Sequence, residues 1–152
     1  MSIHNYVLQG RIITLTRVGL TVEYACIFGI SSPISGIRNG EHVNAYMDGL
    51  TVLVFHGKGG RIYWFVIKKL HKIFHYPNIP RFSINDAEVL CTRLGNVRIW
   101  KDICIRHLWS TREVASMTAL EEGLFKTWHH DRVALLGDSV HKVRTNTYST
   151  VQ

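Results

Sequence analysis

Residues 132–142, RVALLGDSVHK, place an acidic residue directly after a run of apolar ones. A continuous apolar run is typical of a strand covered on both faces, and Gly137 after it would let a ligand approach the backbone closely. Asp138 could then accept hydrogen bonds from the hydroxyl groups of a sugar or sugar-like ligand at the carboxyl edge of a sheet. Aspartate and serine also cap helices well, so a helix N-cap formed by Asp138 and Ser139 is an equally good interpretation.

Other arrangements that could do chemistry are not supported by their spacing. His71 and His75 would share one face of a helix, but KLHKIFHYP follows a strand pattern and ends in a proline, so we expect no helix there. No cysteine or carboxylate lies at zinc-finger spacing around any histidine, and we predict no metal site. Ser139 lacks the flanking glycines of a nucleophile elbow, and GKGG at residues 57–60 lacks the following helix of a phosphate-binding loop.

The elements that must position such residues begin with a series of strands. Residues 21–30 are rich in β-branched and aromatic types, and strand patterns at 43–47 and 50–56 are separated by an Asp48-Gly49 turn. We predict a hairpin over residues 51–67 around HGKGG, at the centre of an antiparallel sheet. A helix should begin at the N-cap Ser83 and continue to about Leu94, packed near that sheet.

The remaining segments predict a short helix or turn followed by strands. Residues 99–109, IWKDICIRHLW, predict a short helix or turn that packs two tryptophans. Residues 112–122 and 123–130 are extended candidates, and RVALLG at 132–137 predicts a buried strand. Strands, a helix and further strands in this order define an α+β fold.

Composition restricts the class of protein. A chain of 152 residues suits one domain, and its net charge of +7 comes from scattered basic residues, which disfavours nucleic-acid binding. Cys26, Cys91 and Cys104 are odd in number and flanked by apolar residues, so we expect buried thiols in a reducing, cytoplasmic environment. We expect no membrane-spanning segment and no signal peptide.

Several stretches together resemble one family. GRIYWFVIKKL, YPNIPRFSINDAEVLC and LWSTREVASMTALEEGLFKTWHHDRVALLGDSVHK are similar to fungal FAD-dependent monooxygenases of secondary metabolism, of the p-hydroxybenzoate hydroxylase class, over about residues 20–142. The resemblance implies FAD and NADPH as cofactors and an apolar substrate, a terpenoid or prenylated aromatic, that is hydroxylated or epoxidised. It identifies the GD pair, Gly137 and Asp138, as the second flavin motif, with Asp138 at the ribityl chain. It makes Tyr46 the candidate catalytic residue that handles the substrate.

The resemblance also divides the chain and shows what differs from the family. It implies a divergent N-terminal segment, a substrate-binding-type domain, a flavin-contacting strand with the GD motif, and a divergent tail, at residues 1–20, 21–131, 132–142 and 143–152. The Gly-x-Gly-x-x-Gly turn that receives the pyrophosphate is missing, so we expect a chain truncated at both ends that does not retain FAD alone. We also expect a loosely packed tail and possible self-association through the edge of the RVALLG strand.

Two other functions remain open. The chain could be a flavin-independent protein that binds a terpenoid-like molecule and assists a cyclisation or isomerisation. Tyr63, Trp64 and Phe65 could then line a cavity, although core packing is the more usual role of such side chains. The chain could also be an inactive gene remnant.

Overall fold

The computed structural model describes residues 5–8, 11–14, 20–124, 129–130, 132–134, 136–137 and 141–142. In chain order its strands and helices are β1 (Asn5–Leu8), β2 (Arg11–Thr14), β3 (Thr21–Ser31), β4 (His42–Met47), β5 (Leu50–His56), β6 (Ile62–His75), α1 (Ile84–Arg93), β7 (Arg98–Trp100), β8 (Ile103–Cys104), α2 (Ile105–Ser110), β9 (Arg112–Leu124), β10 (His129–His130), β11 (Val133–Ala134) and β12 (His141–Lys142). The predicted α+β class is confirmed.

Six strands form one antiparallel sheet in the order β12-β9-β3-β6-β5-β4. The predicted hairpin is confirmed as β5 and β6, joined by a short turn in which Gly59 and Gly60 have φ of 73° and 82°. Such angles favour glycine because an L side chain would clash with its own backbone. β6 and β3 are the two central strands, so the hairpin contributes one strand of the centre.

Helix α1 confirms the prediction for residues 83–94. Ser83 is its N-cap: its hydroxyl accepts a hydrogen bond from the Asp86 amide at 3.3 Å, and the Asp86 carboxylate accepts one from the Ser83 amide at 2.7 Å. This reciprocal pair satisfies two amide groups that the first turn leaves without helical partners. Ala87, Leu90 and Cys91 lie on the buried side of the helix.

Residues 98–110 differ from the expectation of two packed tryptophans. They form the β7–β8 hairpin followed by α2, and Trp109 on α2 is buried with its ring centroid 6.4 Å from that of Trp64. Trp100, however, is 39% exposed, and its ring faces the Lys101 ammonium at 5.3 Å. A ring at the tip of a two-strand hairpin has only one side to bury.

Both helices cover one face of the sheet, called here the helix-covered face. Its core contains Ile27, Val52, Val54, Ile62, Trp64 and Val66 from the sheet, with α1 and α2 residues packed on them. Trp64 is fully buried, and its indole N–H donates to Ser31 Oγ at 2.8 Å. The Ser31 hydroxyl donates in turn to the Leu108 carbonyl at 2.7 Å, which fastens α2 to the sheet.

The prediction that RVALLG forms a buried strand is wrong for the residues that the structure describes. β11 contains only two residues, paired with β10 in a separate two-stranded sheet. Ala134 is exposed, and Leu136 is 78% exposed. A strand that is apolar throughout needs cover on both faces, and Ala134 and Leu136 do not have it.

The three cysteines are free and buried, as predicted. Burial raises the pKa of the Cys26 thiol to about 11 and that of the Cys91 thiol to about 12, because a thiolate is poorly solvated there. Neither of the two helices in the described ranges is long and apolar enough to cross a bilayer.

Candidate functional site

The second face of the six-stranded sheet is called here the open face, because no described helix packs on it. Side chains alternate along each strand, so residues on either side of a core residue point to this face. On β6, for example, Trp64 is buried in the core while Tyr63 and Phe65 are half-buried on the open face. The suggestion that all three line one cavity is therefore wrong.

Four rings form a row across the open face, called here the aromatic row. Phe28 on β3 lies opposite Phe65 on β6, with ring centroids 5.4 Å apart. Phe65 meets Phe55 on β5 at 6.2 Å, and Phe55 meets its cross-strand partner His42 on β4 at 5.1 Å. The row crosses three strand spacings, roughly 14 Å at about 4.8 Å each. The row presents aromatic rings that are tilted or edge-on to one another, with the imidazole of His42 at one end.

A small buried cluster holds Phe65, the second ring of the aromatic row. Tyr24, Cys26 and Ile67 are buried together, with Leu53, Phe65 and Leu120 packed against them. Phe65 belongs to both groups, so its ring is held by side chains from neighbouring strands. A preorganised ring loses little conformational entropy when a ligand binds against it.

Tyr46, the predicted catalytic residue, lies on this same open face. It stands opposite Thr51 on the outermost described strand of its side, β4, and is 56% exposed. His42 and Tyr46 are four positions apart on β4 and so point to the same face, while Val43 between them is buried in the core. The structure thus places the phenol on the same face of the sheet as the aromatic row, four positions along β4 from His42, and its chemical role stays a prediction.

Gly137 of the predicted flavin motif and Tyr46 belong to different elements of the described fold. Gly137 follows β11 of the small two-stranded sheet, whereas Tyr46 belongs to the six-stranded sheet. Gly137 is exposed with φ of 61°, and no described residue lies within 4 Å of where a Cβ would be. Asp138 and the predicted tail at residues 143–152 are outside the described residues.

Metal chemistry gains no support from the geometry. In the part of the chain that the structure describes, no three His, Cys, Asp or Glu side chains come together in a way that could hold a metal ion.

The fold is similar to part of a solved structure that was determined with FAD bound. A variant of HpxO from Klebsiella pneumoniae, crystallised with FAD, superimposes on this chain with a TM-score of 0.55 and 20% sequence identity. The match covers 79% of this chain and 30% of that one, and it establishes the arrangement of strands and helices. No family model matches the chain.

Sequence similarity places the chain beside a narrower group. It is 65% identical over 137 residues to the FAD-dependent monooxygenase nvfK of Aspergillus novofumigatus, and 60% identical over 137 residues to the FAD-dependent monooxygenase andE of Emericella variicolor. Each alignment covers 90% of this chain and 29% of the relative, so the chain spans less than a third of these relatives' length. The predicted resemblance to fungal FAD-dependent monooxygenases is confirmed.

Proposed function

We propose that this chain forms the substrate-facing part of a FAD-dependent monooxygenase that hydroxylates or epoxidises a terpenoid or prenylated aromatic in secondary-metabolite biosynthesis. The observation that carries the proposal is the open face: a rigid, apolar, aromatic surface on a sheet whose other face already forms the core. The 65% identity to nvfK supports flavin-dependent chemistry for the protein that contains this segment.

Gly137 and Asp138 are the residues of this chain that would contact FAD, at its ribityl chain. The exposure of Gly137 and its φ of 61° fit the close approach of a ligand to the backbone. The sequence carries no Gly-x-Gly-x-x-Gly turn for the pyrophosphate, so these residues form one wall of a flavin site. FAD supplies the activation of O₂ when bound, with NADPH as the reductant.

The chain's own residues bind and orient the substrate. Phe28, Phe65 and Phe55 would contact its apolar part and exclude water from it. Tyr46, exposed on the same face, would donate a hydrogen bond to a polar group of the substrate. The free thiols accord with a reducing compartment, and we propose the cytoplasm as the location.

A segment exchange tests the proposal directly. The 137 aligned residues of nvfK are replaced by those of this chain, and product formation from nvfK's own substrate is measured with bound FAD. We expect the chimera to load FAD and to form product, because the exchanged segments are 65% identical. A chimera that loads FAD and forms no product would contradict the proposal.

A flavin-independent ligand-binding protein is the second candidate, because the aromatic row does not depend on any flavin motif. Purification of the 152-residue chain separates the two candidates. The monooxygenase proposal expects no retained flavin and no NADPH oxidation by this polypeptide alone, since it lacks the pyrophosphate-binding turn. Tight binding of an apolar ligand without flavin, together with its conversion, would favour the second candidate.

A further inference from the structure

The last part of β6 and the residue after it, residues 68–76, are called here the basic segment. The pairing of β5 with β6 reaches Lys68, whereas β6 itself continues to His75. The register of β6 against β3 shifts at residues 70–73, which form a bulge. A bulge bends its strand and re-aims the side chains on it, so the basic segment departs from the regular ladder that holds the rest of β6.

The side chains of the basic segment are accessible to solvent. His71, Lys72 and Ile73 are consecutive and all exposed, although successive side chains of a strand point to opposite faces. Ile73 is 51% exposed, and Tyr76 is 42% exposed. The Lys72 ammonium lies 4.8 Å from the centroid of the half-buried Phe74 ring. The segment therefore presents apolar and cationic groups side by side.

The basic segment lies in the longest stretch of the sequence that has no acidic residue, residues 49–85. The lysines and arginines of that stretch are Lys58, Arg61, Lys68, Lys69, Lys72 and Arg81. The Lys69 ammonium lies 3.1 Å from the Glu23 carboxylate, whereas neither Lys68 nor Lys72 forms a salt bridge with a residue that the structure describes. These two ammonium groups leave a local positive charge that an anionic surface would neutralise.

We propose that the basic segment docks this protein on the surface of an anionic lipid bilayer. Lys68 and Lys72 would face the anionic headgroups, and Ile73 and Tyr76 would enter the boundary between headgroups and acyl chains. Basic residues close to an anionic bilayer are attracted to it, and tyrosine favours the interface because its ring is apolar and its hydroxyl is polar. A soluble polyanion would neutralise the lysines but would offer no apolar contact to Ile73, so the bilayer fits both features.

Docking through the basic segment is independent of the function proposed for the open face. It uses the bulged end of β6, whereas the aromatic row is formed by Phe28, Phe55, Phe65 and His42. It needs no membrane-spanning helix, because side chains at the interface hold a peripheral protein by charge and by shallow apolar insertion. A bilayer also concentrates apolar small molecules, which would bring such ligands close to the protein.

Removal of lysines, with a matched control, tests the docking. The 152-residue protein is sedimented with vesicles of phosphatidylcholine and phosphatidylserine, or of phosphatidylcholine alone, and the bound fraction is measured. We expect binding to the mixed vesicles only, weakened by added salt. Lys68→Gln/Lys72→Gln should lower the partition coefficient about 25-fold, or about fivefold for each lysine. Lys58→Gln/Lys101→Gln removes the same charge at exposed positions outside the segment and should have a much smaller effect. Equal melting temperatures show that the variants are folded.

A fluorescent label tests the apolar contact. Ile73→Cys and Val89→Cys each add an exposed thiol, and the native thiols are buried, which limits background labelling. With an environment-sensitive dye, the emission of labelled Ile73→Cys should shift to the blue when mixed vesicles are added. Labelled Val89→Cys, on α1, should show no shift. A parent chain that binds no vesicles or binds both kinds equally, equal losses in the two lysine pairs, or equal emission at the two labels would overturn the proposal.

Discussion

The two faces of the six-stranded sheet are built from the same strands, but one forms the hydrophobic core and the other has the partly exposed aromatic row. On β6, neighbouring residues divide between them: Trp64 is fully buried beneath the helices, and Phe65 is half-buried in the aromatic row. The helix-covered face holds its rings with a buried hydrogen bond from Trp64 to Ser31 and close packing. The open face leaves part of each ring accessible.

Because of this difference, neighbouring residues on one strand should contribute differently to stability and to ligand binding. Burial of apolar area is the main favourable term in folding, so substitutions on the helix-covered face should act on stability. Half-exposed rings contribute less to folding and still offer contact area to a ligand. Substitutions on the open face should therefore change binding more than stability.

The largest expected effect is at Trp64. Trp64→Ala should lower the free energy of unfolding by about 3–5 kcal/mol, since it removes a fully buried ring and leaves a cavity. Phe65→Ala should cost about 1–2 kcal/mol, because a half-buried ring loses only part of the value of full burial. Urea unfolding of both variants measures the difference. Equal losses would mean that the two faces are not distinct in stability.

Gly29 should show the next largest effect. A methyl group added at Gly29 would overlap the six-membered ring of Trp64, which lies directly against the glycine. Gly29→Ala should therefore cost about 1–3 kcal/mol, the usual penalty of overpacking a core. Trp64→Phe removes the overlapping atoms, so the double variant should lose less than the sum of the single losses. Simple additivity in a double-mutant cycle would contradict this explanation.

The helix cap should show the smallest effect. Ser83→Ala should cost about 1 kcal/mol, as expected for the loss of an N-cap. Hydrogen bonds from the Ser83 hydroxyl and amide lower the pKa of the Asp86 carboxyl. The stabilisation that the charged Asp86 carboxylate provides is therefore complete above the unfolded pKa of about 3.9. It is lost as the pH falls through the lower pKa of the folded state.

Unfolding curves at a series of acidic pH values test this assignment. Asp86→Asn should flatten the decline of stability with acid, whereas Asp102→Asn, which changes an exposed aspartate outside the cap, should leave it unchanged. An unchanged decline in Asp86→Asn would show that the cap is not the titrating element.

The sequence predicted the elements whose causes lie within a few neighbouring residues. The Ser83–Asp86 cap and the apolar spacing of Ala87, Leu90 and Cys91 predicted α1, and the glycine turn predicted the β5–β6 hairpin. Each depends on residues a few positions apart, so a short window of sequence contains the cause. The resemblance to the monooxygenases depended on longer stretches and was confirmed by the relatives.

The aromatic row could not be predicted from the sequence in the same way. Phe28, Phe55, Phe65 and His42 come together only through the registers of four strands, which are set by long-range pairing. Alternation around Trp64 did contain one signal, because Tyr63 and Phe65 must point away from a buried Trp64. The segment RVALLG shows where a local pattern fails. Its apolar run predicted a buried strand, but Leu136 is exposed, because burial also requires neighbouring elements that the run itself does not specify.

Turnover by the FAD-loaded nvfK chimera that carries this chain's segment, with and without Phe55→Ala, tests the central claim most directly. Phe55 lies in the middle of the aromatic row and is half-buried, so its loss should remove substrate contact without unfolding the sheet. We expect kcat/KM to fall about tenfold, equivalent to about 1.4 kcal/mol of lost apolar contact. Val89→Ala, which truncates an exposed side chain on α1, should leave it unchanged. An unaltered kcat/KM in a Phe55→Ala chimera that still binds FAD would contradict the assignment of the open face to the substrate.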